Sequence, residues 1–358
     1  MIIFLIFLVI LYLVLVLAVT LPYWYERGNT SCEDIPSAPY TPRAAVKLCM
    51  NIAASAPLLG LAFPLDPVMR HIEGHDEQED KENLPPVLLV HGLYHHPSGW
   101  LFLRRQLRKA GFRKIYTMAY SSWKTDIAAV TAKLENSVWD LERRHPGEKT
   151  LLVGHSLGGL IIRNWLADAD NQKRAAGALT LGAPHRGSKM AALACGALGR
   201  SLLPANPFFA DLARNESPAT IPCVSLVSEA DTMVLPQQNL IPVTRGWTMR
   251  LAPYATHVGM MTKGAVIRMA VWELHRMVAE TADKDEKNTS APGKAAPAAA
   301  AATVEKPATP AAAPGKKAAA VPESAARAKT RAKAKPAAKD GKESAGSKKA
   351  AVKKSRSG

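Results

Sequence analysis

Apolar and polar positions divide the 358-residue chain into an apolar head, a body of alternating patterns and a tail without large apolar side chains. Met1 to Leu21 carries no charged residue and is almost wholly Ile, Leu, Val and Phe. As a helix it would run ~30 Å, enough to cross a bilayer. Trp24 and Tyr25 follow where interfacial aromatics belong. A cleaved signal sequence normally has a basic start, a shorter apolar core and a small-x-small cleavage site. Lys and Arg are absent before Arg27, so the expected element is an uncleaved transmembrane anchor over residues 1–22. Residues 23–84 read as a membrane-proximal segment and linker. Asn51 to Pro64 is apolar but broken by Pro57 and Pro64, which suits a membrane-proximal helix or a packed strap, and His71 to Asn83 is a charged surface linker.

Regular order is expected over residues 85–280. Pro86 to Val90 is a continuous apolar run of the kind a parallel strand covered on both faces needs. Lys114 to Ala119 follows as a strand, and Ile127, Val130, Leu134, Val138 and Leu141 then recur at helical spacing. Thr150 to Val153, Gly177 to Leu181, Ile221 to Val227 and Trp247 to Leu251 read as further strands. Leu157 to Ala167 reads as a helix, and Ile267, Val271, Leu274 and Val278 mark a final one. This alternation predicts a mainly parallel sheet with helices on both faces. Arg186 to Thr220 breaks the rhythm, and either roofs a pocket at the strand ends or adds helices packed on the body.

Beyond Trp272 there is no aromatic residue, and beyond Met277 no Leu, Ile or Met. Residues 281–358 are therefore expected to be a disordered Ala/Pro/Lys-rich tail. They hold 18 Lys and Arg against 7 Asp and Glu, so the tail carries +11 of the net charge of +16. The basic balance describes the tail, which is expected to bind anionic lipid or nucleic acid without sequence choice. Cys32, Cys49, Cys195 and Cys223 fit neither a zinc spacing nor a C-x-x-C pattern; Cys32 and Cys49 could pair in an oxidising compartment.

The chemistry centres on Gly154-His155-Ser156-Leu157-Gly158, a G-x-S-x-G element between a strand and a helix. A turn this sharp leaves no room for side chains at Gly154 and Gly158 and holds the serine outward in a strained conformation. A serine needs a base, and the base an orienting carboxylate. Of ten histidines, His155 lies within the turn, His91 ends a strand, and His71, His75 and His145 sit in charged loops expected to be solvated. His275 lies at a helix margin. His257, after the last strand and before the last helix, remains as the base, with His185 next in line. The order serine, acid, histidine that accompanies such a turn asks for a carboxylate between them on a strand-end loop. Asp231 is preferred to Glu229 and Asp211. Two backbone amides must hold the oxyanion; Leu157 and Leu93 supply them, with Gly92 allowing close approach.

Val90-His91-Gly92, the elbow, Leu181-Gly182-Ala183-Pro184-His185-Arg186-Gly187, Asp231-Thr232-Met233-Val234 and His257-Val258-Gly259 together resemble a bacterial lipase or esterase of the α/β-hydrolase superfamily, close to triacylglycerol lipases. The resemblance covers roughly Pro85 to Glu280. It implies an α/β-hydrolase fold and a serine hydrolase cleaving esters of acyl lipids through Ser156, Asp231 and His257, with no metal or organic cofactor. It also implies that Leu181 to Gly187 borders the acyl pocket. An acyltransferase on the same fold, or a membrane tether with a polyanion-binding tail, are the alternatives. Neither the anchor nor the tail belongs to the usual lipase pattern. The expected location is the bacterial inner membrane, single-pass, with the side of the catalytic body and the oligomeric state left open.

Overall fold

The computed structural model describes residues 1–30, 32–36, 41–62, 64 and 83–290. Residues 281–290, expected to open the disordered tail, are instead helical, and the rest of that tail and most of the charged linker, including His71 and His75, lie outside the described residues. Among those described, six parallel strands form one sheet: β1 Val87–Val90, β2 Ile115–Met118, β3 Thr150–His155, β4 Ala175–Leu181, β5 Cys223–Val227 and β6 Trp247–Leu251, in the order β2-β1-β3-β4-β5-β6. The helices are α1 Ile2–Asn29, α2 Pro42–Ala62, α3 Leu101–Lys109, α4 Ile127–Arg144, α5 Leu157–Leu166, α6 Ala169–Gln172, α7 Gly196–Arg200, α8 Pro207–Asn215 and α9 Gly264–Ser290.

Both faces of the sheet are covered, which explains the continuous apolar strands. Along β1, Val87 and Leu89 join one core with Leu103 and Leu107 of α3 and with Ile267, Leu274 and Met277 of α9. Leu88 and Val90 point the other way, onto Val130 and Leu134 of α4 and Leu160 and Ile161 of α5. Side chains alternate across a strand, so each face contributes its own set, and full burial of a Val or Leu contributes about 1.5–3 kcal/mol. The helical spacing read in α4 is its buried stripe, and Asp126 starts that helix by accepting the Ala129 amide.

The pattern did not reveal α3. Its nine residues carry only Leu101, Phe102, Leu103 and Leu107 as apolar positions, and Arg104 is buried beside them. His145 also departs from expectation: instead of being solvated it shares a 2.8 Å hydrogen bond with the Tyr116 hydroxyl. His275 packs its ring 4.9 Å from that of Phe112.

The apolar head is one long helix, α1, apolar enough over its length to cross a membrane. Its first turns are exposed, but Val16, Thr20, Tyr23 and Glu26 form a narrow buried stripe on the body. Tyr23 joins Leu48, Met190, Ala230 and Leu235 in a small core with Trp24 against it. Its hydroxyl donates to the Glu229 carbonyl at 2.7 Å, Arg27 donates to Gln237 at 2.8 Å, and Lys189 pairs with Glu26 at 2.9 Å. Of the two expected interfacial aromatics, Trp24 therefore packs against the body while Tyr25 stays exposed. The segment Asn51 to Ala62 belongs to α2, which begins with Pro42 where its fixed φ suits a first helical turn. Tyr12 of α1 donates to the Ala53 carbonyl of α2. All four cysteines are free thiols.

Candidate active site

The sheet reverses its build direction between β1 and β3, and ligands of open parallel sheets bind at the strand ends beside such a reversal. The carboxyl end of β3 carries the elbow. Ser156 has φ 53° and ψ −124°, outside the regions L-residues favour, and its hydroxyl does not cap the helix that it precedes. A backbone held there costs about 1–3 kcal/mol and persists only where its surroundings enforce it. The glycines explain how. A Cβ on Gly158 would lie 2.1 Å from the Val90 carbonyl oxygen, and one on Gly154 would lie 2.5 Å from the Gly159 amide nitrogen. The turn is thus wedged between β1 and the first turn of α5, with the amides of that turn behind Ser156.

Asp231 follows β5 and is fully buried. Its Oδ1 accepts the amides of Met233 and Val234, both at 2.9 Å, and its Oδ2 accepts His257 Nδ1 at 2.7 Å. A carboxylate only accepts, so Nδ1 of His257 carries a proton, and in the neutral ring Nε2 keeps the lone pair. His257 and Ser156 line one cavity of about 430 Å³ together with Leu93, His95, Pro184 and Met190. Glu229, the nearest rival, uses its backbone carbonyl to receive Tyr23 and Gln237. Asp211 pairs with Arg214 on the exposed side of α8. His185 is buried, 3.1 Å from the Ser225 hydroxyl, with its pKa well below the ordinary value because burial and Arg163 disfavour its charge.

Leu93 follows β1. His91 Nε2 accepts the Tyr120 amide at 3.3 Å, so Nδ1 carries the proton and donates to the Gly92 carbonyl at 2.9 Å. Carbonyl and amide point oppositely across a trans peptide, so His91 fixes the direction of the Leu93 N–H. A Cβ on Gly92 would lie 2.9 Å from the Ser156 Cβ, which places this peptide directly against the serine. Leu157 supplies the first amide of α5 and its side chain is buried in the core.

Other residues of the site were hidden from the sequence. His155 Nε2 donates to the His257 carbonyl at 3.0 Å, and burial with the nearby His257 holds its pKa far below 6.5. Burial first, then His257, pushes His95 down to about 3, keeping a neutral ring at the cavity wall. Ser228 accepts the amides of Ala230 and Ala255, joining the loop of Asp231 to that of His257. Ser55 of α2 meets Thr256 at 3.1 Å, behind His257. The irregular insertion does both things expected of it: Ser188, Met190, Ala191, Leu193 and Leu202 line the cavity, while α8 packs on the body through Leu212. Arg163 of α5 clamps it by donating to Glu216, Thr244 and the His185 carbonyl. Among the described residues no group of three or more His, Cys, Asp or Glu side chains is placed to hold a metal ion.

The model of the alpha/beta hydrolase family matches residues 87–323, well over half of the chain, and the chain belongs to that family. Similar solved structures include a Bacillus licheniformis lipase in its mature form, at 19% identity and TM-score 0.48 over 55% of this chain and 94% of that one. A Legionella pneumophila phospholipase is similar at 14% identity and TM-score 0.46, over 57% and 65% of the two chains. Aspergillus fumigatus lipase B follows at 17% identity and TM-score 0.43, over 51% and 50%. No curated protein matches the sequence.

Proposed function

We propose that this chain is a membrane-anchored serine hydrolase that cleaves carboxylic esters of acyl lipids, with Ser156 as nucleophile, His257 as base and Asp231 as its orienting acid. The observation that carries the reading is the strained Ser156 sharing a largely apolar cavity with a histidine whose Nδ1 is held by a buried carboxylate. In this reading His257 Nε2 takes the Ser156 proton as Oγ bonds to the ester carbon, and the carbonyl electron pair moves to oxygen, held by the amides of Leu93 and Leu157. Collapse breaks the bond to the alcohol, which leaves with the proton from His257. Water then attacks the acyl-enzyme by the same route, releasing the acid and restoring Ser156. The length and composition of α1 support an anchor, and the bacterial inner membrane is the location proposed.

The experiment is labelling of the full chain by a fluorophosphonate, paired with hydrolysis of a panel of p-nitrophenyl esters. Ser156→Ala should abolish labelling and lower hydrolysis at least ~10³-fold. Unchanged labelling of that variant would overturn the assignment. The anchor is tested by alkaline carbonate washing, through which the chain should stay with membranes, its N-terminus uncut.

A further inference from the structure

The cavity over Ser156 has one wall that the sheet and its loops do not supply. Leu15, Ala18 and Val19 of α1 line it together with Leu93, Pro184 and Met190. Spaced by three and four, these α1 residues share a helix face, adjoining the stripe through Val16, Thr20 and Tyr23 that docks α1 on the body. The cavity's rim is apolar and open: Leu193 is 69% exposed, Leu15 56% and Met233 37%. Trp123, 65% exposed, packs at a tilt against the lining Tyr94 with ring centroids 4.8 Å apart. A contiguous apolar rim of this kind marks a surface that meets lipid or another apolar partner.

The length of α1 selects lipid. Crossing the hydrocarbon takes about 20 apolar residues, or about 30 Å. Leu15, Ala18 and Val19 lie inside the uncharged run Ile2–Leu21 of that helix, which at 1.5 Å per residue is about 30 Å long. A spanning α1 must therefore immerse Leu15, Ala18 and Val19 as well, which puts the mouth of the cavity within the outer part of one leaflet.

We infer that α1 is part of the substrate site as well as the anchor: the acyl chain of a membrane-resident ester slides from the leaflet along Leu15, Ala18 and Val19 and reaches Ser156 without passing through water. The inference rests on the ester-hydrolase reading above. The wall contacts the acyl chain and not the ester group, so a short ester does not need it.

The test compares p-nitrophenyl decanoate and p-nitrophenyl acetate on the full chain in phosphatidylcholine vesicles. Ala18→Trp fills the wall and should lower kcat/KM for decanoate at least tenfold while acetate hydrolysis and fluorophosphonate labelling stay within threefold. Leu17→Trp, on an exposed face away from the cavity, should change neither. An unchanged ratio of decanoate to acetate in Ala18→Trp overturns the inference. Should Ala18→Trp lose acetate hydrolysis too, Val19→Ala decides, because it widens the same wall mildly: a shift of the ratio by threefold or more supports the inference, and an unshifted ratio overturns it. Failure of the ester-hydrolase reading is separate, since it shows as a native chain that neither hydrolyses acetate nor takes the label.

Discussion

Replacing Asp231 by Asn keeps the shape of the site and changes one proton donor, and the geometry fixes the consequence. The Asn amide has two orientations. With its oxygen toward Met233 and Val234 it satisfies both amides that now meet Oδ1, and its NH₂ group faces His257. The opposite orientation leaves two buried N–H groups facing NH₂, at about 1–3 kcal/mol for each lost acceptor. The first orientation therefore prevails by about 2–6 kcal/mol. It forces His257 Nδ1 to accept, moves the ring proton to Nε2, and leaves no lone pair to receive the Ser156 proton. Catalysis should fall by ~10⁴ in kcat, equivalent to about 5.4 kcal/mol of transition-state stabilisation. Because the fold loses no packing, the melting temperature should shift little. The assay is steady-state hydrolysis of p-nitrophenyl butyrate at pH 7 with calorimetry on the same samples. A variant that retains a tenth or more of native kcat would refute the orienting role.

Other expectations concern pH, packing and partners. His155 and His185 are buried neutral, so the unfolded chain binds protons that the native one refuses as pH falls below 6.5, and stability drops in that window. Tm should therefore be lower at pH 5 than at pH 7; equal Tm at the two pH values would contradict this. Glu216→Ala leaves Arg163 buried without its carboxylate and should cost about 3–5 kcal/mol, read from denaturant unfolding, while Arg163→Met combined with Glu216→Leu should recover much of it. His91→Ala releases the Gly92 peptide, and kcat should fall by about tenfold or more with KM little changed, as expected when an oxyanion donor loses its aim; unchanged kcat would count against it. Truncation after Lys287 should leave ester hydrolysis intact and weaken retention on anionic vesicles at low salt, whereas equal retention would deprive the tail of the polyanion-binding role proposed for it.

The strands were legible because both faces of the sheet are buried, so runs such as Val87 to Val90 are apolar throughout. The elbow was legible for a local reason: Gly154 and Gly158 are forced by contacts within one turn and with the adjacent strand. The juxtaposition of Asp231 and His257 followed from chain order, since both stand on loops at the same end of a parallel sheet. His95, His155 and Ser228 were not legible, because their positions depend on loops that meet only in three dimensions. The docked stripe of α1 was hidden for a different reason. In a segment apolar on every side, Val16 and Thr20 look like their neighbours, and hydropathy cannot single out the face that the body covers. In α3 the buried Arg104 disguised the helical spacing.

The bond from Tyr23 to the Glu229 carbonyl joins residues 206 positions apart, and this separation orders the birth of the molecule. At about 5–20 residues per second, roughly 10–40 s of synthesis separate the two. The first helix is complete long before the loop it supports exists, and in a bilayer it would wait there as a fixed template. The trough of Met190, Ala230 and Leu235 closes only when the late-made loop returns to the early-made helix. Until then the segment carrying Asp231 lacks its brace. A chain whose first helix is lost in transit keeps that trough open, an adhesive patch that invites association instead of activity. The pairing of Asp231 with His257 is then completed late in synthesis, well after the first helix has formed.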